Sequence, residues 1–214
     1  MSLFRKYFKK KKIIITGHTG FKGSWLTLWC MASGANVIGI SKGKPNSLSH
    51  YKKLNFESKI KNFDLDIKHL EKLKNIFKKV QPDYVFHLAA QALVKKSYKE
   101  PLETFYSNTV GTLNILESLR QVKKRCHAVI VTSDKSYKNL EIDRGYREND
   151  LLGGEDPYSG SKGAAELIIN SYYKSILINN RNLSISVSRA GNVIGGGDWS
   201  EDRIVPDCIK SWSK

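Results

Sequence analysis

The sequence predicts an α/β fold in which helices cover both faces of a parallel sheet. Short β-branched or apolar runs alternate with longer segments whose apolar residues recur at helical spacing. The first of these runs ends at a glycine-rich turn that leads directly into the first helical segment. Strands that alternate with helices are joined by right-handed crossovers, and this produces a doubly wound sheet.

Six strands and four main helices follow from the pattern. The strands are expected over 13–15, 36–40, 60–65, 84–88, 128–132 and 183–188, and the helices over 21–31, 70–80, 102–119 and 158–178. The helix over 70–80 is expected to stop before Pro82, because the residue before a proline disfavours the helical conformation. The polar, glycine-containing stretch 141–156 is predicted to be a long loop, which often carries functional residues.

The composition excludes several classes of protein. The chain has 214 residues, 40% of them hydrophobic, which is enough for one core of ordinary size. The formal charge is +16, but most basic residues are lysines scattered over expected loops, termini and solvent faces, so we expect a hydrated surface. The sequence lacks the zinc or helix-turn-helix spacings and aromatic–arginine patterns typical of nucleic-acid binding, and no nucleic-acid partner is predicted.

Cysteine spacing and apolar runs indicate the expected compartment. Cys30, Cys126 and Cys208 are far apart and odd in number, which predicts neither a disulfide framework nor a metal cluster. The basic segment 5–12 precedes an apolar run of only three isoleucines, which is too short for a signal peptide, and no stretch approaches membrane-spanning length. We therefore expect a cytoplasmic protein with no membrane partner.

The turn after the first strand contains Gly17, Gly20 and Gly23 in the spacing G-x-x-G-x-x-G, with Thr19 and Phe21 between them. A pyrophosphate bound there needs a sharp turn, a close approach where a Cβ would collide, and free N–H groups at the helix start. The position between a strand and a helix is the context that this motif requires. The turn predicts a dinucleotide-binding fold of the Rossmann type.

The end of the second strand does not decide which dinucleotide is bound. An acid about 20 residues beyond the loop commonly bonds the adenosine ribose. Here no Asp or Glu lies between Gly23 and Glu57, and the strand ends in Ser41-Lys42-Gly43-Lys44, so NAD and NADP both stay open. Asp64, after the third strand, is a candidate for the adenine edge, with an ordinary loop or capping carboxylate as the alternative.

Tyr158 and Lys162 lie four residues apart on one face of a predicted helix, behind Asp156 as N-cap and Pro157 in the first turn. A nearby ammonium favours phenolate, so we expect the pKa of Tyr158 to fall from about 10 toward working pH. A tyrosine tuned in this way removes a hydroxyl proton as hydride leaves the same carbon. The pattern is common by chance, and its place in a glycine-loop α/β chain makes it specific.

The fifth strand ends at Ser133-Asp134-Lys135. Ligands bind at the carboxyl ends of strands in open parallel sheets, so this hydroxyl, carboxylate and amine are candidate catalytic groups. The structural alternative is a turn capped by Asp134.

Six segments closely resemble the CDP-glucose 4,6-dehydratases, a branch of the extended short-chain dehydrogenases, and they extend across nearly the whole chain. They are TGHTGFKGSWL (16–26), FHLAAQ (86–91), TSDKSY (132–137), GYREND (145–150), DPYSGSK (156–162) and RAGNVIGGGDWSED (189–202). The glycines and the Tyr/Lys pair are shared by extended short-chain dehydrogenases in general. By contrast, the first segment, the Ser-Asp-Lys at 133–135 and GNVIGGGDW are particular to the CDP-sugar branch.

The resemblance implies that CDP-glucose is dehydrated to CDP-4-keto-6-deoxyglucose by an internal redox cycle on NAD, in which C4 is oxidised, water is lost across C5 and C6, and hydride returns to C6. Tyr158 would take the proton of the 4-hydroxyl, Ser133 would bond the 4-oxygen, and Lys162 would hold the cofactor ribose. Asp134 would protonate the departing 6-hydroxyl. Lys135 would take the C5 proton, which requires a neutral amine, and burial beside Lys162 is expected to supply one.

The resemblance also implies ligand contacts and a domain division. The implied residues are His87, Ala89 and Gln91 at the cofactor, Asn108 in support of the catalytic helix, and Asn192 and Arg203 at the CDP-sugar. Arg203 would face the pyrophosphate, where an arginine is chemically natural. Because relatives continue past residue 214, we expect a dinucleotide-binding domain at 1–190 and the start of a truncated substrate lobe at 191–214. Homodimerisation through helices 102–119 and 158–178 is also expected.

Other hypotheses stay open beside this one. The chain is alternatively a non-catalytic dinucleotide-binding fragment, an anion-binding protein that uses its charge, or a nucleotide-sugar epimerase, which would not need Asp134 and Lys135. Lys42 and Lys44 depart from the polar or acidic ribose-binding position that is usual in the family.

Overall fold

The computed structural model describes residues 2–43, 45, 47–55 and 57–213, with side chains from residue 4 onward. Its sheet has six parallel strands: β1 (Lys12–Thr16), β2 (Asn36–Ser41), β3 (Lys61–Asp64), β4 (Tyr84–His87), β5 (Cys126–Val131) and β6 (Leu183–Ser188). Their order is β3-β2-β1-β4-β5-β6. The order reverses between β1 and β4, which opens a crevice at the carboxyl ends of the strands. The predicted doubly wound Rossmann-type fold is confirmed.

Nine α-helices surround the sheet in the described part of the chain. They are α1 (Ser2–Phe8), α2 (Phe21–Ala32), α3 (His50–Leu54), α4 (Leu70–Val80), α5 (Val94–Lys99), α6 (Pro101–Phe105), α7 (Gly111–Leu119), α8 (Pro157–Tyr172) and α9 (Ile204–Trp212). Single π-helical turns, at Tyr106–Val110 and Tyr173–Leu177, join α6 to α7 and extend α8. The predicted helices over 102–119 and 158–178 are therefore present, but neither is α-helical throughout.

The first strand shows why both faces of the sheet are covered. Ile13, Ile14 and Ile15 are fully buried, and successive side chains of a strand point to opposite faces. Ile14 belongs to the larger apolar cluster, with Phe77 and the apolar residues of α7, whereas Ile13 and Ile15 belong to a second cluster on the other face. A continuous β-branched run is what a strand buried on both faces requires.

Four short helices, α1, α3, α5 and α9, have no counterpart in the sequence prediction. Isolated helices of this length are marginal in water, and packing stabilises them instead. In α1, the Phe8 ring meets the rings of Tyr84 and Phe86 edge-on, with centroids 5.1 and 6.3 Å apart. The loop at 141–156 is confirmed: its only regular feature is the isolated bridge between Leu152 and Tyr137. No helix in the described residues has the length and apolar character needed to cross a bilayer.

Candidate active site

The glycine loop packs so tightly that two of its three glycines cannot carry a side chain. Gly17 has φ +72°, and a Cβ there would lie 2.7 Å from the amide nitrogen of Ala89. A Cβ on Gly23 would lie 2.0 Å from the carbonyl oxygen of Gly17. At Gly20 the nearest atom would be the Gly17 oxygen at 3.3 Å, and Gly20 is the N-cap of α2 without a side-chain cap from the described residues. The start of α2 therefore presents uncapped backbone N–H groups beside a narrow turn, as a pyrophosphate site requires.

A groove of about 430 Å³ extends from this loop across the carboxyl ends of β1, β2 and β4. Seven residues predicted at the cofactor line it: Gly17, Thr19, Gly20, Phe21, Gly23, Ala89 and Gln91. The amide of Thr19 donates to the Ser41 hydroxyl at 3.3 Å, which ties the loop to the end of β2. A long, shallow groove over a helix start fits an extended dinucleotide.

Asp64 and His87 do not lie along the groove. The Asp64 carboxylate accepts a hydrogen bond from the amide of Gly43 at 2.8 Å, as the loop-carboxylate alternative expects, and Asp66 lines the groove instead. His87 is 2% exposed, with Nδ1 2.7 Å from the Thr16 hydroxyl. Burial lowers the pKa of His87 to about 3, so its ring is neutral. It joins β4 to its neighbours beneath the groove rather than bordering a ligand.

Asn108 connects the groove to the helix that carries Tyr158. Its side-chain oxygen accepts from the amide of Gln91 at 2.8 Å, and its nitrogen donates to the Gln91 carbonyl at 3.0 Å and the Ser161 hydroxyl at 2.9 Å. Asn108 is 2% exposed and does not line the groove. The structure places it as a support of α8, as the resemblance implies, and not at the cofactor surface.

A four-membered charge cluster lies at the end of the groove beside β2. The Lys42 ammonium is 3.1 Å from the Asp66 carboxylate and 2.9 Å from that of Glu103, and Lys68 is 2.7 Å from Glu103. Burial opposes the charge on Lys42, but the two carboxylates outweigh it and raise the pKa of Lys42. The sequence analysis missed Asp66 and Glu103 because they are 24 and 61 positions from Lys42 along the chain. Lys44 lies outside the described residues.

A second pocket, of about 560 Å³, adjoins the groove at the end of β5. It is lined by Ser133, Asp134, Lys135, Tyr158, Asn192 and Arg203, all of them predicted catalytic or substrate residues. Lys22, Ala92, Asp198 and Arg203 line both cavities, so they mark the junction. Lys22, inside the glycine motif, was not singled out as a site residue.

The start of α8 is built as the sequence predicts. The Asp156 carboxylate caps the helix by accepting from the amide of Ser159 at 3.0 Å, and Pro157 follows it. The amide of Tyr158 donates to the Ser97 hydroxyl at 3.2 Å. Tyr158 and Lys162 are 9% and 7% exposed, so the pair is held in a buried, low-dielectric place.

The expected fall in the pKa of Tyr158 is not found. Burial raises the pKa of Tyr158, because the phenolate loses more solvation than the phenol. A hydrogen bond with Ser133 and the charge of Arg203 act in the opposite direction and only offset part of this rise. Burial, with a smaller effect from Lys22, lowers the pKa of Lys162 to about 8. The charged form of Lys162 is therefore disfavoured, which reduces the positive charge that was expected to act on Tyr158.

The Ser133–Lys135 segment forms a tight turn at the pocket wall. The Ser133 hydroxyl donates to the Asp134 carboxylate at 2.9 Å, and that same oxygen accepts from the amide of Lys135 at 2.9 Å. Ser133 is buried, whereas Asp134 and Lys135 are exposed to the pocket and solvent. The expectation that Lys135 is buried beside Lys162 is therefore wrong: Lys135 follows the end of β5 and is exposed at the pocket.

Glu166, on α8, stabilises the chain on either side of the Ser133–Lys135 turn by hydrogen bonds. It lies four residues after Lys162 on α8, and its side chain is 5% exposed. Its carboxylate accepts from the Thr132 hydroxyl at 2.6 Å and from Nε of Arg189 at 2.7 Å. The ion pair joins α8 to the ends of β5 and β6 and so holds the pocket wall in position.

Arg203 approaches the junction with unused hydrogen-bonding capacity. Its Nε is buried and makes no hydrogen bond with the described residues, and the nearest Asp198 carboxylate oxygen is 4.0 Å away. A guanidinium with a buried N–H group that no described residue accepts suits an anionic ligand such as a diphosphate.

A Rossmann-type sheet with a glycine-loop groove, and an adjoining pocket that Tyr158 lines at the strand ends, defines a dinucleotide-binding fold. Lys162 is buried behind Tyr158 on α8 and lines neither cavity. The chain belongs to the family described as GDP-mannose 4,6 dehydratase, whose model matches residues 14–192.

Particular relatives sharpen this assignment. The chain is 42% identical to CDP-glucose 4,6-dehydratase of Salmonella typhimurium over 97% of its own length and 59% of that protein. It is 32% identical to dTDP-D-glucose 4,6-dehydratase of Dictyostelium discoideum, over 93% and 47% of the two chains. The chain therefore spans about half to three fifths of the length of these relatives.

Solved structures agree with the fold. An epimerase from Methanothermobacter thermautotrophicus superposes with a TM-score of 0.82 at 29% identity, covering 98% of this chain and 60% of that one. MoeE5, solved in complex with UDP-glucose and NAD, superposes with a TM-score of 0.76 at 25% identity, covering 94% and 60%.

Proposed function

We propose that the chain carries the cofactor and catalytic groups for NAD-dependent dehydration of CDP-glucose to CDP-4-keto-6-deoxyglucose. The observation that carries this proposal is the second pocket, where Tyr158 and Ser133 share a wall with Asp134 and Lys135 next to the glycine-loop groove. A simple epimerase needs only the first two groups. The 42% identity to CDP-glucose 4,6-dehydratase supports the choice of reaction and nucleotide.

NAD is the proposed dinucleotide, and the groove residues Gly17, Thr19, Gly20, Phe21, Gly23, Ala89 and Gln91 are proposed to hold it. When bound, NAD supplies a reversible hydride acceptor. The carboxylates of Asp66 and Glu103 support NAD over NADP, because they already neutralise Lys42 and would repel a 2′-phosphate. The proposed role of Lys162 is to bond the cofactor ribose.

The side chains of the second pocket are assigned to successive proton movements. Tyr158 removes the proton of the sugar 4-hydroxyl, and Ser133, which is hydrogen-bonded to Tyr158, orients the 4-oxygen. Asp134 delivers a proton to the departing 6-hydroxyl. Lys135, exposed at the rim, is assigned the C5 proton, and a ligand that covers the rim supplies the desolvation that a neutral amine requires.

Asn192 and Arg203 are proposed to bind the CDP-sugar, with Arg203 at the diphosphate. The domain division at residue 190 also stays a proposal.

Helix faces away from both pockets carry a row of exposed apolar residues: Leu102, Tyr106, Val110 and Leu167, with 70%, 49%, 37% and 59% exposure. This row lies on α6, on the π-helical turn that follows it and on α8, and it supports a homodimer through these elements, which sedimentation of the purified chain tests.

The test of the function is an incubation of the chain with CDP-glucose and NAD, followed by mass spectrometry for a nucleotide-sugar that has lost one water. We expect product from the wild-type chain and at least a ~1,000-fold lower rate for Tyr158→Phe, because the general base is removed. Tyr7→Phe, at a phenol that is 51% exposed and remote from the pocket, is the matched control.

Three outcomes separate the alternatives. Wild-type NAD binding without any product leaves a cofactor-binding fragment. An isomeric sugar that retains its water indicates an epimerase. Equal rates for Tyr158→Phe and the control contradict the assignment of Tyr158.

A further inference from the structure

Two sequence segments meet in space at residues to which the proposed function assigns no role. Residues 16–26 continue past the glycine loop to Trp25 on α2, and residues 189–202 contain the three consecutive glycines 195–197. These three glycines form part of the wall of the second pocket. Trp25 and His50 contact the outer side of this triglycine loop, and neither residue lines the groove or the second pocket.

Hydrogen bonds fix the loop carbonyls to the two residues. The indole Nε1–H of Trp25 donates to the carbonyl oxygen of Gly196 at 3.0 Å, and the amide of His50 is 3.4 Å from the carbonyl of Gly197. The Trp25 and His50 rings stack with centroids 4.0 Å apart and an angle of 15°. The Ser24 hydroxyl lies 2.9 Å from Nδ1 of His50, which couples the ring back to α2.

The approach is close enough to require glycine at one of the three positions and to crowd a side chain at a second. Gly197 has φ +84°, and a Cβ there would lie 2.4 Å from the Cβ of His50. A Cβ on Gly195 would lie 3.0 Å from the ring of Phe21. A Cβ on Gly196, by contrast, would meet no described atom within 4 Å. The glycines therefore serve close packing on α2 and α3, and not only freedom of the backbone.

We propose that Trp25 and His50 are positioning residues that hold the triglycine loop as a rigid wall of the second pocket and thereby set its affinity for the nucleotide-sugar. The identity of that ligand rests on the proposed function, whereas the holding of the loop does not. Because α2, which carries Trp25, begins at the glycine loop, the contact of Trp25 with the triglycine loop also sets the distance between the groove and the second pocket. Preorganising a wall in this way strengthens binding by avoiding the cost of ordering it.

The first arm of the test needs no ligand. In the nitrogen–proton correlation spectrum of the full chain, Trp25→Phe identifies the Trp25 indole signal by its loss. We expect that signal to exchange with solvent more slowly than that of Trp212, whose side chain is 81% exposed. Gly197→Ala should make it exchange at the rate of Trp212, and Gly196→Ala should leave it protected. An indole that exchanges freely in the wild type, or that stays protected in Gly197→Ala, overturns the holding role.

The second arm measures affinity by calorimetry with CDP-glucose and, separately, with NAD. Trp25→Phe keeps a ring on His50 and loses one hydrogen bond to the loop, so we expect about fivefold to tenfold weaker CDP-glucose binding and unchanged NAD binding. Trp29→Phe, one turn later on α2, is the control, since Trp29 is 41% exposed against 44% for Trp25 and packs on Phe4 instead of the loop.

The indole-exchange experiment and the calorimetry test different parts of the proposal, so either can fail without the other. Unchanged CDP-glucose affinity in Trp25→Phe overturns the role of the residue in binding, even where the indole arm succeeds. Absence of CDP-glucose binding to the wild type overturns the proposed function, and the indole exchange then decides the holding role alone.

Discussion

The groove and the second pocket adjoin each other but are built in different ways. The groove lies on the ends of β1, β2 and β4 and the start of α2, so backbone packing in the sheet determines its shape. The second pocket has one wall from β5 and α8, and the other from the irregular segment before α9 and α9 itself. Ile194 and Ile204 in this second wall are 76% and 79% exposed.

The difference separates two sources of specificity. Tightly packed interiors tolerate little change in volume, so substitutions in the groove should act on folding and cofactor binding together. An irregular wall is held by a few contacts, so substitutions there should act on one ligand and leave the fold intact. Three substitutions test the contrast. They lie on the groove floor, beneath the β5 wall of the second pocket, and in the charge cluster at the groove end.

The largest effect is expected for Gly23→Ala on the groove floor. The new methyl would be forced to within 2.0 Å of the Gly17 carbonyl oxygen, so α2 must move away from the turn. We expect a loss of about 1–3 kcal/mol of stability and about 100-fold weaker NAD binding, measured by thermal unfolding and calorimetry. Gly145→Ala, where the methyl meets no described atom within 4 Å, is the control. Normal NAD affinity in Gly23→Ala would show that the loop is less rigid than its packing indicates.

An effect on stability alone, without loss of NAD binding, is expected for Glu166→Gln, beneath the wall that carries Ser133. This change leaves the partly buried Arg189 without its carboxylate, and breaking such a pair costs about 3 kcal/mol. Glu57→Gln, which breaks a more exposed pair with Lys52, should cost about 0–1 kcal/mol. Denaturant unfolding of both variants measures the difference, and equal losses would contradict the structural role of the buried pair.

The same glutamate predicts how stability depends on pH. Burial alone would raise the pKa of Glu166, but hydrogen bonds from Arg189 and Thr132 outweigh it and hold the pKa below the usual 4.5. Its contribution is therefore present above about pH 4.5 and is lost as pH falls through the lower folded-state pKa. We expect Glu166→Gln to lose less free energy of unfolding than the wild type as pH falls below about 4.5, measured by denaturant unfolding at a series of pH values.

The smallest effect is expected for Glu103→Gln in the charge cluster. The change frees Lys42 from one of its two carboxylates, so a 2′-phosphate meets less repulsion. We expect NADP to bind about threefold to tenfold more tightly, with little change for NAD, as measured by calorimetry. Glu100→Gln, beside the same helix and paired with Lys96 at 3.4 Å, is the control. Unchanged NADP affinity would remove Glu103 from the selection of the cofactor.

The sequence predicted most of the fold because its signals are local. The β-branched runs, the turn glycines and the Asp156–Pro157 helix start act within a few residues, and the six strands appear with ends within two residues of their predicted positions. The short helices α1 and α3 could not be predicted, since aromatic and polar contacts with distant residues stabilise them.

Predictions about electrostatics failed where they depended on burial. The four-residue spacing predicts that the ammonium of Lys162 lowers the pKa of Tyr158, but spacing says nothing about the loss of solvation. Burial raises the pKa of the phenol instead. Lys135 follows a buried strand, yet its side chain is exposed. His87 and Asp64 occupy the expected strand ends, but the direction of each side chain was decided by neighbouring strands and loops.

By itself, the sequence determined the doubly wound sheet, the glycine turn and the Tyr158–Lys162 pair, because periodicity, turn geometry and helical spacing are properties of neighbouring residues. Only the tertiary structure decided that Asp66 and Glu103 surround Lys42, that Glu166 bonds Thr132 and Arg189, and that Trp25 and His50 contact the triglycine loop. Those contacts join residues from separate strands and helices, and the crossovers of the parallel sheet bring them together.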